Sequence, residues 1–210
     1  MDSHSQLISL GFTSDKFPPG THICYLYSDE DERQRVVSAF LNSGITEREA
    51  VRYFPDVLAA DMLDHVLRQL DLAVPSEEPQ QFDAAPAVEA YCPGGRFIPE
   101  GMLGRLGELY AQGIAAGFTG VRMSGEMSWA LRGIPGSERL IEYEARLNTL
   151  GPSNPLTMIC QYDTKKFDGA TIFEVLNVHP MMIVRGQIMR NPYYVPPDEY
   201  LATKSGHHGG

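Results

Sequence analysis

The chain has 210 residues, of which 43% are hydrophobic and 10% aromatic. That suits one domain with a sizeable core and excludes a disordered chain or a stapled miniprotein. Seventeen Lys and Arg against 27 Asp and Glu give a net charge of −10, which excludes a module that grips nucleic acid by bulk electrostatics.

The N-terminus, MDSHSQLISLGF, lacks the basic and long apolar regions of a signal peptide. No apolar run reaches the roughly 18–20 residues of a membrane span, so a cytoplasmic chain is expected. His22–Tyr27 (HICYLY) reads as a strand, 30–43 as a helix with Val36, Val37, Phe40 and Leu41 at helical spacing, and 50–54 as a strand. A helix is expected over 59–70. The polar, proline-rich stretch Pro75–Pro86 reads as a surface connection, and 88–91 as a short strand. A helix over 99–117 ends at Gly117, and a strand over 119–123 runs into GEMSW. A charged amphipathic helix over 137–150, a strand over 156–162, a helix over 169–177 and a strand over 181–188 follow. Prolines 192, 196 and 197 exclude regular helix over 191–198. The alternation predicts a single three-layer α/β/α domain with a mostly parallel sheet, over 1–203. Residues 204–210 read as a flexible tail, so His207 and His208 are set aside as metal ligands.

In such a sheet ligands bind at the carboxyl ends of strands. Those ends carry Tyr27 and Ser28, then Arg122, Ser124 and Glu126, then Gln161, Tyr162 and Asp163. Arg122 and Glu126 are expected as polar anchors, Trp129 as an apolar wall, and Gln161 and Asp163 as the opposite rim of a pocket. The plainer alternative is an internal salt bridge beside a core Trp.

The turn after the first strand reads Ser28-Asp29-Glu30-Asp31-Glu32, with no glycine and no lysine. Its four carboxylates would repel phosphates, so ATP binding there is not expected. Ser28 or Asp29 caps the following helix, and the acids favour its positive end. Three cysteines, at 24, 92 and 160, make neither a disulfide framework nor a zinc ribbon and fit a reducing compartment. His22 and Cys24 lie two apart on one strand face; with Cys160 and His179 they would form a tetrahedral metal site if those strands were neighbours. Core packing is the alternative for all four. Glu144 either stays on the surface of its helix or turns toward a pocket, and spacing leaves both open.

HICYLYSDEDE, FLNSGI followed by AVRYF, VRMSGEMSWAL, LIEYEARLN, MICQYD, HP and NPYYVPP occur in this order. Together they resemble the MEDS domain, the methanogen/methylotroph DcmR-type sensory domain, over about residues 10–200. The resemblance implies a derived RecA/KaiC-like fold with a degenerate P-loop, and a prokaryotic signalling module that senses small organic molecules such as simple hydrocarbon derivatives. It implies partners of the histidine kinase, anti-sigma-type kinase or transcription regulator kind. The matching family positions are His22, Cys24, Tyr25, Arg122, Gly125, Glu126, Trp129, Tyr143, Glu144, Asn148, Gln161, Tyr162, Asp163, His179 and Pro180. The expected function is therefore a non-enzymatic sensor of a small organic ligand that relays to another protein, with no membrane or direct nucleic-acid contact and a homo-oligomer left open. Three rivals stand beside it: an acid–base enzyme using Glu126 and Asp163, a metal- or cofactor-dependent sensor, and a protein-interaction module with a vestigial pocket.

Overall fold

A computed structural model describes residues 7–57, 60–75, 77–150 and 154–205. A small antiparallel hairpin, β1 (Ile8–Ser9) and β2 (Lys16–Phe17), leads into the main sheet. The sheet strands are β3 (His22–Tyr27), β4 (Ala50–Phe54), β5 (Phe82–Ala84), β6 (Val121–Glu126), β7 (Thr157–Asp163), β8 (Met181–Val184) and β9 (Gln187–Arg190). Their order is β5-β4-β6-β7-β3-β8-β9, and every pair is parallel except β8–β9. The connecting helices are α1 (Glu30–Thr46), α2 (Ala60–Gln69), α3 (Ala87–Tyr91), α4 (Pro99–Ala115), α5 (Leu140–Leu147), α6 (Gly169–Val178) and α7 (Pro197–Ser205).

A parallel sheet must be covered on both faces, and side-chain alternation divides the core accordingly. Ile23, Tyr25, Val51, Tyr53 and Ile159 meet Val36, Val37, Phe40 and Leu41 of α1 on one face. Cys24, Ala50, Met123, Met158, Cys160 and Tyr162 meet α3, α4, α5 and α6 on the other. The three-layer α/β/α architecture expected from the alternation is therefore present. Among the described residues no helix is long and apolar enough to cross a membrane.

Several local expectations are corrected. Residues 88–91 lie in helix α3, because a run of four apolar-rich residues has no period that separates helix from strand. The proline-rich connection contains the edge strand β5, paired to β4 through Val51 opposite Phe82. The single strand over 181–188 is a hairpin, turned by Arg185 and Gly186, both at positive φ. Such a turn usually carries Asn-Gly or Asp-Gly, so Arg-Gly gave little warning. Helix α7 starts at Pro197, inside the stretch expected to hold no helix, because proline is tolerated at a first helical position, and it runs through Ser205 into the start of the expected tail; His207 and His208 lie outside the described residues, as does residue 59 of the helix expected over 59–70.

Arg122 ties this framework together at the amino end of β6. It is fully buried, pairs through Nε with Glu49, and donates from Nη1 to Phe40 O (2.8 Å) and from Nη2 to Ser9 O (2.9 Å). One side chain thus holds α1, β1 and the start of β4 to the sheet. Gly44 of α1 makes room for it: a Cβ there would stand 2.8 Å from Arg122 Cδ. Replacing Arg122 by Met leaves Glu49 buried without its cation and two carbonyls without donors. The expected loss is about 3–5 kcal/mol, read as a lower urea midpoint. Adding Glu49→Leu should recover part of it, since the unpaired charge goes but the orphaned carbonyls remain.

Candidate functional site

Two polar clusters lie on opposite faces of the sheet. The first sits at its carboxyl edge. Asp29 caps α1 by accepting from Glu32 N at 2.7 Å, as one of the two expected caps. Arg33, on the first turn, then reaches over the strand ends. Its Nη1 pairs with Glu126 and donates to Gln161 Oε1 (2.9 Å) and Tyr53 Oη (3.2 Å). Its Nε donates to both Glu30 oxygens at 3.0 Å. The guanidinium lies over the Tyr27 ring, 5.5 Å from its centroid, in cation–π range. Gln161 passes the chain on, donating from Nε2 to Ser124 Oγ at 2.9 Å, and Ser124 donates to Ile159 O at 3.1 Å. Glu126 also accepts from Asp56 N at 2.7 Å.

The structure therefore brings Tyr27, Glu126 and Gln161 together around a residue that the sequence reading did not select. Asp163 stands at the same edge, accepting from Lys165 N at 2.9 Å and facing Lys166 at 3.7 Å. Arg122 and Trp129 stand elsewhere, which corrects the expected pocket. Arg122 and Glu126 point to the same sheet face, but four residues of strand separate them by about 13 Å, and each has its own ion-pair partner. Trp129 is fully buried on the other face, stacked on Tyr91 with centroids 5.2 Å apart and tilted against Phe97 at 4.9 Å. Gly125 permits that packing, since a Cβ on it would come within 2.3 Å of Tyr91 Oη. Trp129 is a core anchor, the plainer of its two expected roles.

The second cluster is enclosed between β3, β7, α5 and the α6–β8 junction. His22 Nε2, Glu144, Cys160 Sγ and His179 supply ligand-type atoms that all lie within 4.8 Å of one another, and all four residues are buried. Glu144 Oε2 is 3.1 Å from His22 Nε2, 3.3 Å from His179 Nε2 and 3.4 Å from Cys160 Sγ. Its other oxygen accepts from Tyr162 Oη at 2.7 Å. The rings of His22 and His179 have centroids 4.2 Å apart. Three of the four residues expected as a metal set meet here. Cys24 is replaced by Glu144: the Cys24 thiol donates to Met181 O at 3.7 Å. Glu144 turns inward because it lies on the buried stripe Leu140, Tyr143, Leu147 of α5, while Glu142 stays outside and pairs with Arg146 at 2.6 Å.

Burial pushes the Glu144 carboxyl up, and positive charge on His179 or His22 would pull it down below the usual carboxylate range. Burial, and next His179, push the His22 imidazole down against the pull of Glu144 and Asn148. Burial and the neighbouring carboxylate push the Cys160 thiol well up. The centre is thus a carboxylate facing two imidazoles and a thiol, a donor set suited to a borderline-soft metal ion. A groove of about 1530 Å³ opens at the amino edge of the sheet beside it, bordered by His22, Asn148, Met158, Met181 and Tyr194.

Comparison with known proteins places these features in a family. Residues 21–180 match the model of the MEthanogen/methylotroph, DcmR Sensory domain. Over 79 residues the chain is 34% identical to the transcriptional repressor DcmR of Methylorubrum extorquens (strain DSM 6343 / CIP 106787 / DM4), a stretch that is 37% of this chain and 30% of that repressor. In shape it is similar to a KaiC-like protein from Pyrococcus horikoshii OT3, with a TM-score of 0.59, 13% identity, and coverage of 85% of this chain and 80% of the other. It is also similar to an ATPase from the type III secretion system of pathogenic bacteria, with a TM-score of 0.57, 11% identity, and coverage of 95% and 67%. At such low identity these likenesses establish the fold alone, of RecA/KaiC type. The family model, which takes in five of the seven strands of the main sheet and both clusters, establishes more: the chain belongs to the MEDS family of sensory domains.

Proposed function

We propose that this domain senses a small organic molecule without converting it, and passes its bound state to a regulatory partner protein in the cytoplasm. The observation that carries this reading is the Arg33 cluster. In a nucleotide-hydrolysing α/β fold, the turn after the first strand cradles phosphates on backbone N–H groups at a helix N-terminus. Here Asp29 takes the Glu32 N–H, Glu30, Asp31 and Glu32 fill the first turn, and a protein guanidinium lies across the edge, neutralised by protein carboxylates. The site supports binding by exchange of partners more than it supports phosphoryl transfer.

Glu30 is the exposed member, with 65% of its side chain accessible. A short-chain molecule carrying a carboxylate, hydroxyl or halogen would take its place on Arg33, with Tyr27, Glu126, Gln161 and Asp163 around it. Freeing Glu30 changes the start of α1, a surface that a partner can read by its different affinity for the two states. The DcmR relative supports a transcription regulator as that partner; a histidine kinase or an anti-sigma-type kinase would serve the same relay. Arg122 and Trp129 act in this reading as positioning residues. The amino-edge groove favours a second ligand position, with Met181 and Tyr194 as contacts.

A panel of C1–C4 acids, alcohols and haloalkanes, scored by thermal shift and then calorimetry, tests the site. At least one should bind saturably. Arg33→Lys, which keeps the charge but loses the fork, should weaken it by about tenfold or more, while Tyr194→Ala leaves it unchanged. The opposite pattern moves the ligand to the groove, and no binding by any member overturns the ligand class. Titration with a fluorescent ATP analogue, and a phosphate-release assay with Mg-ATP, should show neither binding nor turnover. Steady hydrolysis, abolished by Glu126→Gln, would make the domain an enzyme.

A further inference from the structure

We propose that His22 Nε2, His179 Nε2, Cys160 Sγ and Glu144 Oε2 together hold one divalent transition-metal ion, with zinc the best match. The inference stands apart from the sensing of an organic ligand and rests on the direction in which the ring nitrogens face.

Both tautomers are fixed from outside the centre. The Asn148 amide nitrogen donates to three backbone carbonyls, of Glu144 (3.3 Å), Ala145 (3.2 Å) and Val178 (2.8 Å). Its orientation is therefore set, since an oxygen in that place would face three oxygens. Asn148 Oδ1 then faces His22 Nδ1 at 3.1 Å, which must donate. His179 Nδ1 lies 2.7 Å from Val175 O and must likewise donate. Each neutral imidazole then directs an unprotonated Nε2 at the same carboxylate oxygen. His179 Nε2 makes no hydrogen bond, although it is buried. Two lone pairs facing an anionic oxygen at 3.1 and 3.3 Å repel unless something positive lies between them. A proton on one ring would satisfy one contact and leave the other, and protons on both would set two cations side by side with ring centroids 4.2 Å apart.

A single divalent ion satisfies every contact. Bound with Cys160 as thiolate and Glu144 as carboxylate, a 2+ ion gives a centre of zero net charge, the state that burial tolerates best. The metric fits. Zinc bonds of roughly 2.0–2.3 Å in a tetrahedron place ligand atoms about 3.3–3.8 Å apart. Four of the six donor separations are 3.1, 3.3, 3.4 and 3.5 Å and all lie within 4.8 Å, so binding asks the cage only to draw in by about an ångström on its longer sides. The surroundings are those of a metal site: each histidine gives its other N–H to a fixed acceptor, and the ligating carboxylate is hydrogen-bonded by Tyr162. Four protein donors leave no open position, the pattern of a structural ion. The four ligands come from β3, α5, β7 and the end of α6, so the ion would tie the helical layer to the middle of the sheet.

The test uses the full chain carrying His207→Ala and His208→Ala, which remove the tail imidazoles. The protein is unfolded with a chelator, then refolded with cobalt(II) alone. The expected result is one cobalt per chain, with the intense visible bands of a tetrahedral ion and a near-ultraviolet thiolate-to-cobalt band, both erased by one equivalent of zinc. Cys160→Ser should lose the thiolate band and Cys92→Ser should keep it. Asn148→Ala, which touches no metal, should weaken zinc affinity about 10–100-fold. A native circular dichroism spectrum with no cobalt uptake overturns the proposal, as do uptake without the thiolate band and equal uptake by Cys160→Ser. If Cys160→Ser fails to fold, the spectrum of the parent chain decides alone.

Discussion

A charge placed inside a sheet that is covered on both faces has no water to turn to. It must find its counter-charge within the fold, and this requirement organises the molecule. Arg122 answers it at the amino end of the sheet with Glu49, and Arg33 at the carboxyl end with Glu126. Glu144, in the middle of the other face, is set against two imidazoles, a thiol and a phenol. Helix α1 is consequently held twice: Arg33 near its start donates outward to β4, β6 and β7, and Phe40 O further along accepts from Arg122. Apolar packing between α1 and the sheet fixes distance but not register; a hydrogen-bonded charge at each end fixes both. Removing one partner from such a pair costs more than the pair contributes, because the other is left buried.

The same requirement shapes the turn after β3. The positive end of α1 is an anion site by construction. In this chain the anions are the protein's own, on Asp29, Glu30, Asp31 and Glu32, and the cation that a phosphate would attract is Arg33, committed to internal acceptors. The strand order and the layers need no phosphate to hold them, since their stability resides in the apolar faces of β3, β4, β6 and β7. Architecture and edge chemistry can therefore part company.

Much of this was legible from residue order alone. The alternation of strand and helix gave the three layers, and His22, Cys160 and His179 were picked out as residues that would meet if their strands were neighbours. Their adjacency follows from β3 lying between β7 and β8, a crossover that no local pattern encodes. Arg33 was not selected and Glu144 was left open between surface and pocket, yet the two share one signal. Arg33 lies on the stripe Val36, Val37, Phe40, and Glu144 on the stripe Leu140, Tyr143, Leu147. A charge on the apolar face of a helix has to be paired inside, so both could have been marked as buried from spacing, though not their partners. Trp129 and Arg122 were misplaced for the opposite reason: nearness in sequence to Glu126 was read as nearness in space, but the rise of four strand residues puts Arg122 at the far end of the same face and the turn after β6 sends Trp129 to the other.

The two clusters also share a strand. On β7, Cys160 faces the enclosed histidine–carboxylate centre and the next residue, Gln161, faces Arg33 on the opposite side of the sheet. On β3, His22 and Tyr27 stand in the same relation, at the two ends of one strand. Parallel strands in a packed sheet slide little without breaking their ladder. A shift of β7 that altered the Cys160 contact would therefore alter the Gln161–Arg33 hydrogen bond, and with it the balance between Glu126 and Glu30 on the guanidinium. No chain of intermediate side chains is needed to connect the interior of the domain to the exposed first turn of α1, because consecutive residues of one strand already belong to both.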